Sequence, residues 1–348
     1  MRSTSVGRSH SATRSQQSRS MASDAPWDGS TMPSQRNKIV IVTGASSGLG
    51  LVTARRLAER GARVVLACRN EGRGRAAEAQ IIEALKKTGD GAGSVELMLV
   101  DVGSLASVKA FATAFAQRFD RLDLLINNAG VGMPVEQKST DGLAVQFGVN
   151  HLGHFYLTTL LFDRLKASPS ARVVNISSVL HRRLVDRLFF RSLEVDFSQL
   201  ATGDSDSPCT RYEKSKLCNL LFTYELDRRL KAANIRNVIS VAAHPGTTAT
   251  PIFDRSIEYY NPSCLHRIAK KITYMCLQGV EMGALPILFA ATVESVQSGE
   301  YYGPDGFLNF FGYPAREISS PLSYSEAYGQ QLWSLSEQLT KQPFSLVK

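Results

Sequence analysis

Residues 38–61 read "KIVIVTGASSGLGLVTARRLAERG". A short β-branched run ends in glycine, and a stretch with helical spacing follows and closes at Gly61. The rhythm then repeats. "ARVVLAC" (62–68) is a strand, "GRAAEAQIIEALKK" (74–87) a helix, "SVELMLVD" (94–101) a strand, "SLASVKAFATAFAQRF" (104–119) a helix and "LDLLINNAG" (122–130) a strand. A long helix is expected around 140–166, then the strand "ARVVNIS" (171–177), a helix from about 210 to 232, the strand "RNVISVAAHPG" (236–246) and a last one in "GEYYG" (299–303). Alternating strands and helices of these lengths imply a parallel sheet of about seven strands, covered by helices on both faces.

Two stretches break the rhythm, 179–209 and 247–280. Long connections beyond the carboxyl ends of strands in an open sheet are where ligands bind. No internal repeat is found. The organisation expected is a tail over 1–35 and one domain over 36–340, with 179–209 and 247–280 as substrate loops.

Composition narrows the function class. The net charge is +9, but Arg2, Arg8, Arg14 and Arg19 supply four charges within an opening that has no acid before Asp24, leaving about +5 elsewhere. That is a weak case for nucleic acid. The Arg-rich, Ser-rich opening has the composition of an organelle transit peptide; the alternatives are a disordered tail, or translation from Met21. No run of 18 apolar residues and no secretory signal core occurs. Five cysteines, odd in number and without C-x-x-C spacing, fit reduced thiols in a cytoplasmic setting, with a mitochondrial location as the alternative if the opening is a transit peptide. His151 and His154 lie close in sequence but lack a third ligand, so helix packing is the expectation and no metal is assigned.

The turn "TGASSGLG" (43–50) lies between the first strand and the first helix. Gly44 permits a tight turn, Gly48 lets the backbone approach a pyrophosphate, and Gly50 lets the helix pack close with its N–H groups facing the anion. The fold expected is therefore a single Rossmann-type doubly wound α/β sheet that binds a dinucleotide. An acid ending the second strand would favour NAD; here "ACRN" (67–70) puts Arg69 there, which suits the 2′-phosphate of NADP, unless Arg69 points to solvent. Asp101 can meet the adenine amino group or cap the next helix, where Ser104 competes. "NNAG" (127–130) closes the fourth strand, and Asn127 is expected to serve the sheet more than the ligand.

"YEKSK" (212–216) sets a tyrosine and a lysine a helical turn apart. Random placement of 11 Tyr and 13 Lys in 348 residues gives roughly 0.4 such pairs, so the pair means nothing alone. Parallel strands, however, bring it to the same sheet edge as Ser177, Ser178 and the glycine turn.

Together "TGASSGLG", "NNAG", "VNHLGHFYLT" (149–158), "NISS" (175–178), "YEKSK" and "HPG" (244–246) resemble, in order and separation, the short-chain dehydrogenases/reductases. "ACRN", "VNHLGH" and "YYGPDGFL" (301–308) look most like the retinol-dehydrogenase-like branch, and the likeness covers roughly 36–340. The resemblance implies Tyr212 as general acid or base, Lys216 lowering its pKa and bonding the nicotinamide ribose, Ser178 bonding the substrate oxygen, and Asn150 holding a water that relays protons to Lys216. It implies cofactor contacts from Thr43, Gly44, Ser46, Ser47, Gly48, Leu49, Gly50, Arg69, Asp101, Val102, Asn128, Ala129, Gly130, Tyr212, Lys216, Pro245, Gly246 and Thr247.

The function expected is an NADP-dependent oxidoreductase of a ketone, aldehyde or alcohol, with an apolar substrate. Reduction of an activated carbon–carbon double bond is the alternative, since "NHLGHF" and "SKLCN" are similar to segments of protochlorophyllide reductases. A non-catalytic NADP-binding regulator would show a lost Ser, Tyr or Lys, and all three are present. The serine-to-tyrosine connection is longer than common in the family, and "VDRLFFRSLEV" (185–195) could wall a substrate pocket or touch a membrane through Leu188, Phe189 and Phe190. Many relatives pair through the tyrosine helix, but "LCNLLFTYEL" (217–226) could face core or partner, so a homodimer is a further possibility.

Overall fold

The computed structural model describes residues 26–89, 91–134, 136–182, 195–248 and 277–346. Eight strands form one sheet in the order β3-β2-β1-β4-β5-β6-β7-β8. They are β1 (Ile39–Thr43), β2 (Arg63–Cys68), β3 (Ser94–Leu99), β4 (Leu124–Asn127), β5 (Ala171–Ile176), β6 (Val238–Ala243), β7 (Tyr301–Pro304) and β8 (Pro314–Arg316). Neighbours from β3 across to β7 pair in parallel, and β8 returns antiparallel to β7. Strand β8 was not foreseen. It has three residues, too few to alternate, and carries a proline, which a sheet tolerates at an edge.

Alternate residues of each strand feed opposite layers, as a two-residue side-chain period requires. Ile41 and Val65 pack with Phe111, Phe115 and Phe155 on one face; Val40, Val42, Val64 and Leu66 pack with Leu57, Ile81 and Ile287 on the other. Apolar groups buried on both faces explain why the strands read as unbroken hydrophobic runs. The second face is covered by α1 (Gly48–Glu59), α2 (Glu71–Leu85) and α7 (Val280–Thr292). The first is covered by α3 (Leu105–Arg118), α4 (145–166) and α6 (Pro208–Ala232). Helix α4 runs continuously through Val145–Phe147, a π-helical turn Gly148–Leu152, and Gly153–Lys166. A short α5 (Phe197–Leu200) precedes α6, and α8 (Glu326–Thr340) lies outside it.

Helix α8 settles which way "LCNLLFTYEL" faces within the chain. Residues 217–226 are buried throughout. Trp333 of α8 meets Phe155 edge-on at 5.2 Å, tilts on Phe222 at 5.9 Å and stacks on Phe344 at 4.8 Å. Arg229 lies over its ring at 4.2 Å. The folded unit also reaches past both boundaries drawn from the sequence. Trp27 meets Phe289 edge-on at 5.3 Å, Met32 is buried, and Gln35 N–H donates to Arg60 O at 2.8 Å, while Phe344 and Leu346 are buried at the other end.

The opening segment 1–25, the apolar Leu188–Phe190 stretch, and most of the 247–280 loop lie outside the described residues. Among the described residues no helix is long and apolar enough to cross a membrane.

Trp333 is 2% exposed and holds two helices and the C-terminal segment together. Trp333→Ala should lower unfolding stability by about 3–5 kcal/mol, read as a fall in the midpoint of denaturant unfolding.

Candidate active site

The sheet order reverses at β1, which pairs with β2 on one side and β4 on the other. Such a switch point opens a crevice at the carboxyl ends of the strands. Here the crevice is a cleft of about 740 Å³.

Its floor is the turn from β1 into α1. Gly44 holds φ at +68°, a left-handed value that other residues adopt at a cost. A Cβ on Gly50 would lie 2.5 Å from the Gly44 carbonyl oxygen and 2.6 Å from Asn128 Nδ2, so only glycine lets α1 start this close to β4. No acid stands in the first turn of α1, and its positive end faces the cleft unopposed.

Thr43 departs from expectation. It is fully buried and does not line the cleft. Its Oγ1 accepts from Asn128 N–H and Ala129 N–H, both at 2.9 Å, and contacts His154 Nε2 at 2.9 Å. The Asn128 amide donates in turn to the Thr43 carbonyl at 2.7 Å. Asn127 serves the sheet, donating to Asn175 Oδ1 at 2.9 Å and Thr158 Oγ1 at 3.2 Å.

Along the floor, Arg69 follows β2 and Arg73 lies in the first turn of α2, both exposed and both lining the cleft. Asn70 caps α2 by accepting from Arg73 N–H at 2.9 Å. Arg73 was missed by sequence reasoning, although its i+4 spacing from Arg69 beyond a cap residue was a usable signal. Asp101 lines the cleft and accepts from Gly103 N–H at 2.9 Å, while Ser104 caps α3.

The far wall brings together Ser178, Tyr212 and Lys216. Ser177 and Ser178 divide their work. Ser177 donates to the Lys216 carbonyl at 2.9 Å, whereas Ser178 Oγ accepts from Leu180 N–H at 3.2 Å and lines the cleft with Tyr212. Asn150 lies in the π-helical turn beneath the cleft, fully buried. Both its amide hydrogens are used, on Val131 O at 3.0 Å and Ser215 Oγ at 2.9 Å, and its Oδ1 accepts from Val131 N–H at 2.8 Å. Asn150 therefore has no side-chain N–H left to donate to the relay water expected there. Opposite, Thr247 donates through N–H and Oγ1 to Phe310 O at 2.8 and 3.0 Å, tying the "HPG" turn to the β7–β8 loop. Pro245, Gly246, Phe310 and Cys209 also line this end.

Residues 38–186 match the family model for short chain dehydrogenase. The chain is 35% identical over 309 residues to human retinol dehydrogenase 14, covering 86% of this chain and 85% of that one. The human WW domain-containing oxidoreductase is 37% identical over 326 residues, covering 91% and 73%. The chain belongs to the short-chain dehydrogenase family, in its retinol-dehydrogenase-like branch. Among solved structures, an uncharacterized protein from Mycobacterium Paratuberculosis superposes with a TM-score of 0.70 at 34% identity, covering 92% of this chain and 100% of that one.

The electrostatics of this short-chain dehydrogenase follow from burial. His154 Nδ1 lies 3.1 Å from the Asn150 carbonyl, which can only accept, so Nδ1 carries the proton and Nε2 accepts from Thr43. Burial pushes its pKa down to about 4, and that of His151 to about 3. His151 Nε2 pairs with Ser336 Oγ at 3.0 Å, so both imidazoles have protein partners, and no metal-holding cluster occurs among the described residues. Tyr212 was expected to be pulled down by Lys216. Within the chain, burial acts first and raises it, and the neighbouring Ser178 side chain opposes that. Lys216 Nζ lies 5.8 Å from the Tyr212 ring centre and donates to Ile176 O at 3.0 Å.

Burial lowers the Lys216 pKa to about 8 from 10.5. A base that holds its proton less tightly when folded disfavours folding wherever the proton must be carried. The cost is complete below about pH 8 and fades as pH rises towards 10.5. Lys216→Met should therefore raise unfolding stability near pH 7 by on the order of 2–3 kcal/mol, since Asn219 Nδ2 still donates to Ile176 O at 2.9 Å. Denaturant unfolding at pH 7 and pH 10.5 should show the gain at the first and its loss at the second.

Proposed function

We propose that this short-chain dehydrogenase is an NADP-dependent oxidoreductase of an apolar ketone, aldehyde or alcohol. The observation that carries the reading is the convergence of Ser178, Tyr212 and Lys216 on one wall of a cleft whose floor is a glycine turn, with two guanidinium groups at the far end. The residues fit a dinucleotide. Gly48, with φ at +54°, suits a backbone that approaches a pyrophosphate, Gly50 lets α1 pack close, and the N-terminus of α1 offers the anion N–H donors. Among the described residues neither Arg69 nor Arg73 has an acidic partner, which leaves both to a 2′-phosphate and supports NADP over NAD.

When bound, the nicotinamide supplies or takes the hydride. Tyr212 gives its phenolic proton to the substrate oxygen in reduction and takes one in oxidation. A phenol raised by burial is a stable acid near neutrality, so proton loss from Tyr212 needs a nearby positive charge, and Lys216 a turn away supplies it. Ser178 holds the substrate oxygen through its hydroxyl as charge develops there. Lys216 is anchored on Ile176 O and reaches the ribose, while Asn150 fixes Val131 and Ser215 behind it. Thr247 and Asp101 hold the carboxamide and adenine ends. Apolar lining from Met133, Val179, Leu180 and Phe310 supports an apolar substrate, and the relative named retinol dehydrogenase points the same way.

Tyr212→Phe should lower turnover of NADPH with decanal by about 10²–10⁴-fold and leave NADPH binding intact; retained turnover would sink the assignment. Replacing Arg69 and Arg73 by Ala should weaken NADPH by roughly 10- to 100-fold while sparing NADH, as loss of charge-assisted bonds would. Fluorescence titration with both nucleotides checks this, and equal losses would mean that neither arginine reads the 2′-phosphate.

A further inference from the structure

His181, a residue that no motif marked, contacts the Ser178 main chain. A 3₁₀ turn, Val179–His181, follows β5 directly, with Ser178 as its cap. His181 is 2% exposed, and both ring nitrogens are engaged. Nδ1 lies 2.6 Å from the Ser178 carbonyl oxygen, and Nε2 lies 3.2 Å from the Ser320 N–H. A carbonyl only accepts and a backbone N–H only donates, so the proton sits on Nδ1 and Nε2 is the acceptor. Tyr301 of β7 packs edge-on against the imidazole at 5.5 Å and 89°, with its hydroxyl 3.5 Å from Nδ1.

The Ser178 hydroxyl takes its orientation from the same turn, through Leu180 N–H. The turn closes on the Ser178 carbonyl, which accepts both His181 N–H at 3.1 Å and the shorter imidazole bond. Fixing that carbonyl fixes the peptide plane leading into the turn, and with it the Leu180 N–H that aims the hydroxyl. Ser320 holds the imidazole from beyond β8, so the orientation does not rest on the turn alone.

We infer that His181 is a positioning residue, acting through Ser178 to hold its hydroxyl where a substrate oxygen would sit. The inference rests on the role given above to Ser178. Mispositioning a group by about an ångström can cost on the order of 10²-fold in rate, so the expected effect is on turnover and not on nucleotide affinity.

The test compares Ser178→Ala, His181→Ala, His181→Asn, His181→Gln and the double variant Ser178→Ala/His181→Ala, using NADPH with decanal for kcat and NADPH alone for binding. His181→Ala should lower kcat by about 10- to 100-fold with unchanged NADPH affinity. His181→Asn, whose amide N–H falls near the place of Nδ1–H, should recover most of that; His181→Gln, which reaches the Nε2 place, should not. In the Ser178→Ala background, adding His181→Ala should cost less than about twofold, the non-additivity expected of groups that act as one unit. Independent, multiplying losses would overturn the inference, as would equal behaviour of Asn and Gln or a fall in NADPH affinity that tracks kcat. Should the alanine variant fail to fold, the Asn and Gln pair decides alone. Full turnover by Ser178→Ala would instead overturn the role of Ser178 itself, and that result is read without reference to His181.

Discussion

The carboxyl edge of the sheet depends on one buried hydroxyl. Thr43 Oγ1 accepts from two successive N–H groups of the β4 end and donates to His154 of α4. A hydroxyl has one hydrogen and two lone pairs, and here all three are used. Valine would match its shape but leave the Ala129 N–H and an imidazole nitrogen without partners, at about 1–3 kcal/mol each, while Asn128 N–H would keep its bond to Ile126 O at 3.0 Å. The join is made where β1 and β4 part to open the crevice, so the glycine turn and the "NNAG" segment keep a fixed spacing. His154 carries the constraint onward through the Asn150 carbonyl to the π-helical turn.

From there the hydrogen bonds run across the sheet to the reacting wall. Asn127 reaches Asn175, Asn175 reaches Thr223 of α6 at 3.0 Å, and Asn219 and Lys216 of α6 share the Ile176 carbonyl. Buried polar groups linked this way rigidify what they connect, because each is costly to leave unpaired. Tyr212 and Lys216 are the exception. For both, burial opposes the charged form, raising the phenol and lowering the ammonium. Under the proposed function this is the pair that moves a proton, and holding it away from its charged states costs stability.

Much of this was legible in the sequence. Strands buried on both faces read as continuous β-branched runs, so their places along the chain and the parallel sheet followed from pattern alone. The glycine turn was readable because glycine at 44 and 50 answers a steric need that the fold then displays. Other features escaped for physical reasons. Thr43 looks like a ligand contact because it borders the glycine turn, but a residue ending a central strand has its side chain in the interior. Strand β8 is too short for a period, and Trp27 and Met32 pack from a segment without periodicity. The direction of the Tyr212 shift needed the environment, since a lysine at i+4 shows a charge but not how deeply both groups are buried. His181 carries no motif at all; its importance comes from Ser320, 139 residues away.

The two ends of the cleft are built by different parts of the chain. The glycine turn, Arg69, Asp101 and "NNAG" all fall within the 38–186 stretch matched by the family model. The reacting end contains Ser178 from that stretch, but what braces it comes later. Ser320 holds His181, Phe310 O receives both donors of Thr247, and Trp333 covers the helix that carries Tyr212 and Lys216. All three lie between 301 and 346, in β7, β8, α8 and their connections. One end of the cleft is made by the first half of the chain, and the other is braced from 301–346. No hydrogen bond of the Thr43 join reaches beyond α4, yet α4 is itself tied to the C-terminal segment, through His151 Nε2 and Ser336 Oγ at 3.0 Å and through Phe155 against Trp333, so the two ends meet on that one helix.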